Sequence, residues 1–349
     1  MGDTNRYVLH DGVVTVEGAL GLERGPGWVR PWRLPPEDLD LHHPDLVVRA
    51  ANPSGVRLRW RTSATRVAVE VEPVVVGGEQ VDELRYDLFV DGGPHSSLVT
   101  GMDARVVAFE GLPSGPKDLE LWLPHRPALK IGTVTAPDGT IEPPAPDDRP
   151  RWVVYGSSIT HGMTAGPAGT WPAVAARLLG RHLTSLGFGG QCHLDPLVAR
   201  AIAGLPADHI TLKLGINVHN RASMRERAFL PAVHGFLATL RERRPDVPIT
   251  VVSPILSPER ETSTRTVREE DDGTIVEAHG DLTLEAIRDV LAEAVRVRRA
   301  RGDRHLTYLD GRELFGRDDL AHLPDGLHPD AEGLRRMGER YAALARAAG

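Results

Sequence analysis

The feature that most constrains this chain is a change of hydrophobic period near residue 145, across Glu142-Pro143-Pro144-Ala145-Pro146-Asp147-Asp148-Arg149-Pro150. No helix runs through that density of proline, and an acidic, proline-rich stretch has little to bury, so it reads as a connector. Before it, apolar residues recur at every second position over short runs. After it, short apolar runs alternate with stretches in which apolar residues recur every three or four positions. The two periods belong to different architectures. A chain of 349 residues has room for two compact cores, and the expected division is residues 1–140, a connector at 141–150 and residues 151–349.

In the first part, Val56-Arg57-Leu58-Arg59-Trp60-Arg61 alternates strictly, and Val67, Val69 and Val71 alternate with Ala68, Glu70 and Glu72. Tyr86 to Val90 precedes the turn Asp91-Gly92-Gly93, Val106 to Phe109 precedes Gly111, and Leu119, Leu121 and Leu123 repeat the pattern. Half-buried strands divided by Gly/Pro turns, with no helical period between them, predict an all-β antiparallel sandwich. In the second part, Trp152 to Tyr155, His209 to Leu214, Ile249 to Val252 and Leu306 to Leu309 are continuous apolar runs of the kind buried on both faces. Helical faces lie between and after them: Leu230, Val233, Leu237 and Leu240; Leu284, Ile287, Leu291 and Val295; Leu334, Met337, Tyr341 and Leu344. Pro231 is expected to start or kink its helix. This alternation predicts an α/β domain, a parallel sheet covered by helices on both faces. Such sheets carry their chemistry in the loops after the strands, here after Tyr155, Leu214 and Leu309.

Charge and composition exclude several functions. The net charge is −7, and of 41 basic residues only Lys117, Lys130 and Lys213 are lysine, the arginines being scattered among acids, so nucleic-acid binding is not expected. No apolar run approaches the roughly 20 residues that span a bilayer. The polar stretch Met1 to His10 does not read as a secretory signal, and the single cysteine, Cys192, fits a reducing compartment, so a cytoplasmic location is expected. Dispersed histidines, with His42-His43 read as a loop feature, predict no metal site. No Walker loop or strand-borne Gly-x-Gly-x-x-Gly is present, and no cofactor is expected.

Four short pieces carry chemistry. Gly156-Ser157-Ser158-Ile159-Thr160-His161-Gly162 follows the first strand of the second part. A small-residue turn there presents a hydroxyl at the sheet edge beside helix N–H groups, although alone it reads first as a turn with an N-cap serine. Gly187-Phe188-Gly189-Gly190 and Leu214-Gly215-Ile216-Asn217 offer a glycine N–H and a side-chain amide, the donors an oxyanion needs. In Pro324-Asp325-Gly326-Leu327-His328-Pro329, an acid and a histidine three residues apart sit in a non-helical loop. That loop can aim the carboxylate at one imidazole nitrogen and leave the other as a base, or be a solvated turn before a helix capped by Asp330.

The order of these pieces resembles the SGNH, or GDSL, hydrolases over about residues 150–349. Gly156 to Thr160 is similar to the first block of that family, Gly190 to the second, Gly215-Ile216-Asn217 to the third and Asp325 to Pro329 to the fifth. The resemblance implies a three-layer, flavodoxin-like α/β domain with Ser158 as nucleophile, His328 as base and Asp325 as its orienting partner. Ser158, Gly190 and Asn217 would supply the oxyanion donors, the spacing favouring Gly190 over Gly189. Two positions depart from the pattern: Ser157 and Val218 stand where the family usually has Asp. The implied reaction is acyl transfer through an acyl-serine from a small-molecule ester or thioester, first of all to water, as an esterase, with transfer to an alcohol, as an acyltransferase, the alternative. Relatives include acyltransferases that decorate polyketides, the salicylyl transferases of tetracycline-type biosynthesis among them. Some members carry an N-terminal sandwich similar to a carbohydrate-binding module, which would wall the site or serve stability or dimerisation. A non-catalytic carbohydrate- or partner-binding protein with a decayed triad is the contrasting reading, motivated by Ser157 and Val218. Residues Ser257 to Asp281, polar and without a core pattern, are expected to border the site as a lid or acceptor wall. His161 is read as structural or substrate-facing, Trp171 as packing at a helix start, Cys192 as a small buried side chain, and His219 with Asn220 as polar loop groups near the pocket.

Overall fold

A computed structural model describes residues 6–9, 12–78, 81–269 and 274–347. Its contacts divide the chain into two compact units, Met1–Asp148 with Gly166–Ala168, and Arg149–Ala165 with Gly169–Gly349.

The strands of the first unit are β1 (Arg6–Val8), β2 (Thr15–Glu17), β3 (Gly21–Gly25), β4 (Trp28–Trp32), β5 (Arg57–Thr62), β6 (Val67–Val74), β7 (Leu84–Val90), β8 (Gly93–Thr100), β9 (Val106–Phe109), β10 (Lys117–Trp122), β11 (Ala128–Thr135) and β12 (Ile141–Glu142). They form two antiparallel sheets, ordered β3-β4-β11-β6-β9 with β1 on β11, and β12-β5-β10-β7-β8 with β2 on β5. Alternation along each strand sends one set of side chains inward. Leu58, Trp60, Tyr86 and Leu121 from one sheet and Val69, Val107, Ile131 and Val134 from the other share one core. The unit is a β-sandwich.

Several elements of this unit, β1 to β4 among them, are not picked out by the alternation. α1 (Pro44–Ala51) is a helix of eight residues, burying Leu46, Ala50 and Ala51, and two turns are too few to display a period. His43, read as a loop residue, caps it, its Nδ1 accepting the Asp45 N–H at 3.3 Å. β8 is mostly exposed and polar, as an edge strand can be. β11 is buried at nearly every position, and a register shift between Ile131 and Val134 breaks its period. Ile141–Glu142, read as part of the connector, pairs with Thr62 and Arg61 of β5.

The second unit runs β13 (Arg151–Gly156), α2 (Ser158–His161), α3 (Trp171–Leu179), β14 (His182–Gly187), α4 (Pro196–Gly204), β15 (His209–Lys213), α5 (Ile216–Asn220), α6 (Glu226–Arg243), β16 (Ile249–Val252), β17 (Arg265–Glu269), β18 (Ile275–His279), α7 (Leu284–Ala300), β19 (Leu306–Leu309) and α8 (Ala331–Ala347). Its five-stranded sheet is parallel, in the order β14-β13-β15-β16-β19. This is the flavodoxin-like doubly wound order, in which the first strand sits between the second and the third. Trp152, Val153, Val154 and Tyr155 are all buried, as consecutive residues can be only when both faces of the sheet are covered. The helices pack in two groups, α3 with α8, and α4 with α6 and α7. Pro231 lies inside α6, as its sixth residue, rather than opening it. Among the described residues no helix is long and apolar enough to cross a membrane.

One set of polar groups inside this unit is matched around Trp152. Tyr341 stacks on Trp152 with ring centroids 5.0 Å apart. Thr211 Oγ1 accepts the Trp152 indole N–H at 2.9 Å and lies 2.6 Å from the Tyr341 hydroxyl. Beside them His209 Nε2 lies 3.0 Å from Thr250 Oγ1. Burial, reinforced by Arg181, lowers His209 to about 4; burial, then Arg260, lowers His219 to about 4. An unfolded histidine binds its proton near pH 6.5, about where the free side chain titrates. Between those values the unfolded chain holds protons that the folded one does not, so stability is lost as the pH falls through that window. Thermal melts should show Tm dropping as the pH is lowered from about 6.5 towards about 4, with a shallower slope in His209→Gln; a Tm independent of pH across that interval would contradict this account.

Candidate active site

Strand order brings three loops to one edge. β13 is in register with β14 and β15, Tyr155 lying beside Leu186 and Leu212, so the segments that follow these strands emerge side by side. Ser158 opens α2 directly after β13. The buried Ser157 is its N-cap, its hydroxyl accepting the Ile159 N–H at 3.4 Å, and Gly162 ends the single turn. Both readings of this piece therefore hold, a capped turn and a hydroxyl presented at the sheet edge.

Ser158 Oγ lies 2.8 Å from His328 Nε2, and His328 Nδ1 lies 2.6 Å from Asp325 Oδ2. A carboxylate can only accept, so Nδ1 carries the proton, Nε2 is the acceptor, and the serine hydroxyl donates to it. The other oxygen, Asp325 Oδ1, accepts the His328 N–H at 2.6 Å and the Leu327 N–H at 2.9 Å. Partial burial pushes the Asp325 carboxyl up, but these hydrogen bonds outweigh it and hold its pKa below the usual carboxylate range. Asp330 accepts the Gly333 N–H at 2.8 Å at the start of α8. The loop thus caps the last helix and delivers the imidazole as well.

Asn217, the second residue of α5, is buried. Its Oδ1 accepts the Cys192 N–H at 2.9 Å, and because a backbone N–H only donates, the amide NH₂ must point the other way. Gly190 turns its carbonyl to His193 Nε2 at 3.0 Å, and no acceptor meets its N–H among the described residues. With φ of +74° it occupies a conformation that favours glycine. The Cys192 thiol, between these two donors in the chain, is buried and pushed up to about 12 by that burial, so it is inert. The structure thus brings Ser158, His328 and Asp325 into contact, with Gly190 and Asn217 at the neighbouring strand ends.

A model of the GDSL-like lipase/acylhydrolase family matches residues 149–346, and a model of the SsfX3 N-terminal domain matches residues 14–130. The chain belongs to the GDSL-like lipase/acylhydrolase family. It is similar to the solved structure of the salicylyl acyltransferase SsfX3 from a tetracycline biosynthetic pathway, at 33% identity and a TM-score of 0.86, over 100% of this chain and 99% of that one. A GDSL-like protein of Bacteroides ovatus matches at 20% identity and a TM-score of 0.75, over 98% of this chain and 97% of that one. A family two carbohydrate esterase from Cellvibrio japonicus matches at 15% identity and a TM-score of 0.66, over 99% and 98%. The last two show likeness of fold alone. A search of the curated proteins finds no match. The chain is an enzyme of the GDSL/SGNH type.

The loop of Asp325 and His328 is held at its Gly326 carbonyl by residues that sequence reasoning missed. Ser257 Oγ donates to the Gly326 carbonyl at 2.6 Å and Arg260 Nη1 to the same oxygen at 3.0 Å. The Ser257 N–H donates to Glu261 Oε1 at 3.0 Å, an oxygen that Arg288 Nη2 also reaches at 2.9 Å. Arg288, itself buried, donates to the carbonyls of Pro254 and Ile255 as well. The available signal was Arg288 itself, a charge on the helical face shared by Leu284, Ile287 and Leu291. The region read as a lid, Ser257 to Asp281, comprises this clamp followed by the antiparallel hairpin β17–β18, with residues 270–273 outside those described. Thr266 of the hairpin donates to the Asn220 carbonyl. His219 and Asn220 lie in α5 rather than in a loop, His161 is buried, and Trp171 starts α3 behind its Thr170 N-cap.

The turn that presents Asn217 depends on the glycine two residues before it. Gly215 has φ of +102°, and a Cβ there would stand 2.3 Å from Ile287 Cγ2 and 3.3 Å from Pro254 Cγ. Gly215→Ala is expected to cost about 1–3 kcal/mol of stability, read as a lowered denaturant midpoint at unchanged slope; an unchanged midpoint would show that this turn tolerates a side chain.

Proposed function

We propose that this enzyme is a serine acyltransferase, which moves an acyl group from an ester or thioester to the hydroxyl of a second small molecule through an acyl-Ser158 intermediate. The observation that carries the reading is the continuous hydrogen-bonded line Ser158 Oγ, His328 Nε2, His328 Nδ1, Asp325 Oδ2, with steps of 2.8 and 2.6 Å. In the first half-reaction His328 takes the Ser158 proton as Oγ attacks the acyl carbonyl. Asp325 keeps the ring in the tautomer that leaves Nε2 free and stabilises the imidazolium that forms. The negative oxygen is held by the Ser158 and Gly190 N–H groups and by the Asn217 amide, whose orientation the Cys192 N–H supports. His328 then hands its proton to the departing alcohol or thiol. In the second half-reaction His328 deprotonates the acceptor hydroxyl, the acceptor oxygen attacks the acyl-serine, and Ser158 recovers its proton.

Transfer is favoured over hydrolysis by the likeness to SsfX3 along both units of the chain, at 33% identity. The acceptor class that follows is the hydroxyl of a polycyclic natural product, and an aromatic acyl group is the matching donor. Water is the competing acceptor, because His328 is about one-third exposed, at 33%, and ester hydrolysis is the branch expected when no alcohol is supplied. The side chains at the two positions that depart from the family pattern leave this chemistry in place: Ser157 supplies the cap that holds the Ser158 turn, and Val218 is buried.

Ser158→Ala or His328→Ala should abolish release of acid from aromatic chromogenic esters and formation of new ester with added alcohols. Asn217→Ala should lower kcat by about 10²–10³ with the fold intact. Intact-mass spectra after mixing with an activated ester should show one acyl adduct that is missing from Ser158→Ala. Full turnover by Ser158→Ala would overturn the mechanism, and free acid as sole product with every alcohol tried would reduce the reading to an esterase.

A further inference from the structure

A cleft of about 790 Å³ in the same unit is lined by three arginines, Arg221, Arg260 and Arg265, with Glu259 as the acidic member. Its walls come from three separate stretches of chain. Arg221 follows α5, the helix that carries Asn217; Arg260 and Arg265 belong to the clamp and to β17; and Leu327 is the residue before His328. The cleft therefore abuts both the donor side and the histidine side of the site.

The three guanidinium groups differ in how far they are occupied. Arg221 lies against Gly190: its Nη2 is 3.3 Å and its Nε 3.9 Å from the position a Cβ on that glycine would take. No acceptor meets the Arg221 guanidinium among the described residues. Arg260 uses Nη1 to hold Ser257 Oγ and the Gly326 carbonyl, which fixes its charge in place and leaves Nε and Nη2 without an acceptor among the described residues. Arg265 pairs with Glu277 at 3.0 Å, but the two side chains are 67% and 51% exposed, so the pair is screened and readily exchanged for another anion. Glu261, the other carboxylate nearby, is already engaged by Arg288. A positive field at this place is also felt by the buried His219, whose two ring nitrogens have no partner among the described residues and which is kept neutral first by burial and then by Arg260.

We propose that this cleft is a subsite for an anionic group, a carboxylate or phosphate on the substrate, and that Arg221 and Arg265 select for it. A guanidinium fork matches both groups in a bidentate, planar manner, which an ammonium cannot. The proposal rests on the acyl-transfer reading for the position of the reacting carbonyl at Ser158. It adds that one of the two substrates reaches the site with a negative charge within a few bonds of that carbonyl, since Arg221 stands against the glycine whose N–H faces the oxyanion. Arg260 is not used as a test residue, because removing it would also release the Gly326 carbonyl.

The test is a comparison of wild type with the double variant Arg221→Gln/Arg265→Gln on two matched pairs of esters. 4-Nitrophenyl hemisuccinate against 4-nitrophenyl acetate places the charge on the acyl chain; 4-acetoxybenzoate against its methyl ester places it on the leaving group. The expected result is a fall in kcat/KM of about tenfold or more for the anionic member of one pair, the loss of charge-assisted hydrogen bonds, with the neutral members changed by less than about twofold. The pair that responds tells which substrate bears the charge. Equal loss on neutral and anionic esters, or no loss on either, overturns the proposal while leaving acyl transfer standing. Binding of inorganic phosphate, followed by calorimetry in Ser158→Ala with and without the two arginine substitutions, separates the failures. If wild type turns over no ester, phosphate binding that weakens about tenfold with the substitutions supports the anion subsite alone. In that case, binding that is absent or indifferent to them overturns it.

Discussion

The position of β13 between β14 and β15 is the constraint on which the site depends. Parallel strands in register end at the same level, so the residues that leave the sheet after Gly156, Gly187 and Lys213 must emerge together. Nothing else in the sequence relates Ser158 to Gly190 or Asn217, which are far apart along the chain. The burial of Trp152 to Tyr155 on both faces fixes that strand in its place and makes the edge where it ends a rigid platform. The candidate site is then built from short turns on this platform, each of which needs only a few special residues: a capped serine, glycines at positive φ, and an asparagine whose amide is oriented by a backbone N–H.

The imidazole is supplied from the opposite end of the domain sequence, and it is held by a chain of polar groups rather than by apolar packing. Asp325 accepts three hydrogen bonds from the very segment it belongs to, which keeps it ionised and makes the loop a compact unit. Ser257 and Arg260 then fix that unit by its Gly326 carbonyl, and Glu261 and Arg288 fix Ser257 in turn. A half-exposed carboxylate and a histidine one-third exposed are thereby tied to a buried arginine several bonds away. Such networks are stringent because each member left unpaired in a low-dielectric setting is costly. This is why a charge occupies a position on α7 that the helical period assigns to the core.

Much of the architecture is legible in the sequence because period and burial are the same physical fact. Val67, Val69 and Val71 alternate because one face of a sheet is buried, and Trp152 to Tyr155 are continuous because two are. Where burial and period part, the sequence falls silent. β11 is buried at most positions and bulged, β8 is an exposed edge, and α1 is too short to repeat. At the site, Gly156 to Gly162, Gly187 to Gly190, Leu214 to Asn217 and Pro324 to Pro329 were visible as turns of particular chemistry, whereas the Ser257 to Arg288 clamp was not. Its members are ordinary polar residues, and their partners are backbone carbonyls, which carry no sequence.

By itself, then, the chain's sequence determined the two architectures, the strands that end in reactive turns, and the residue types able to activate a hydroxyl, since these follow from local period and side-chain chemistry. Only the tertiary structure decided that Ser158 and His328 meet at hydrogen-bond distance, that the Asn217 amide oxygen is taken by the Cys192 N–H, that Gly326 is clamped, and that Arg221, Arg260 and Arg265 converge on one cleft. Each of those facts is a relation between segments remote in sequence, fixed by strand order and by hydrogen bonds to the backbone, and no local pattern of residues encodes such a relation.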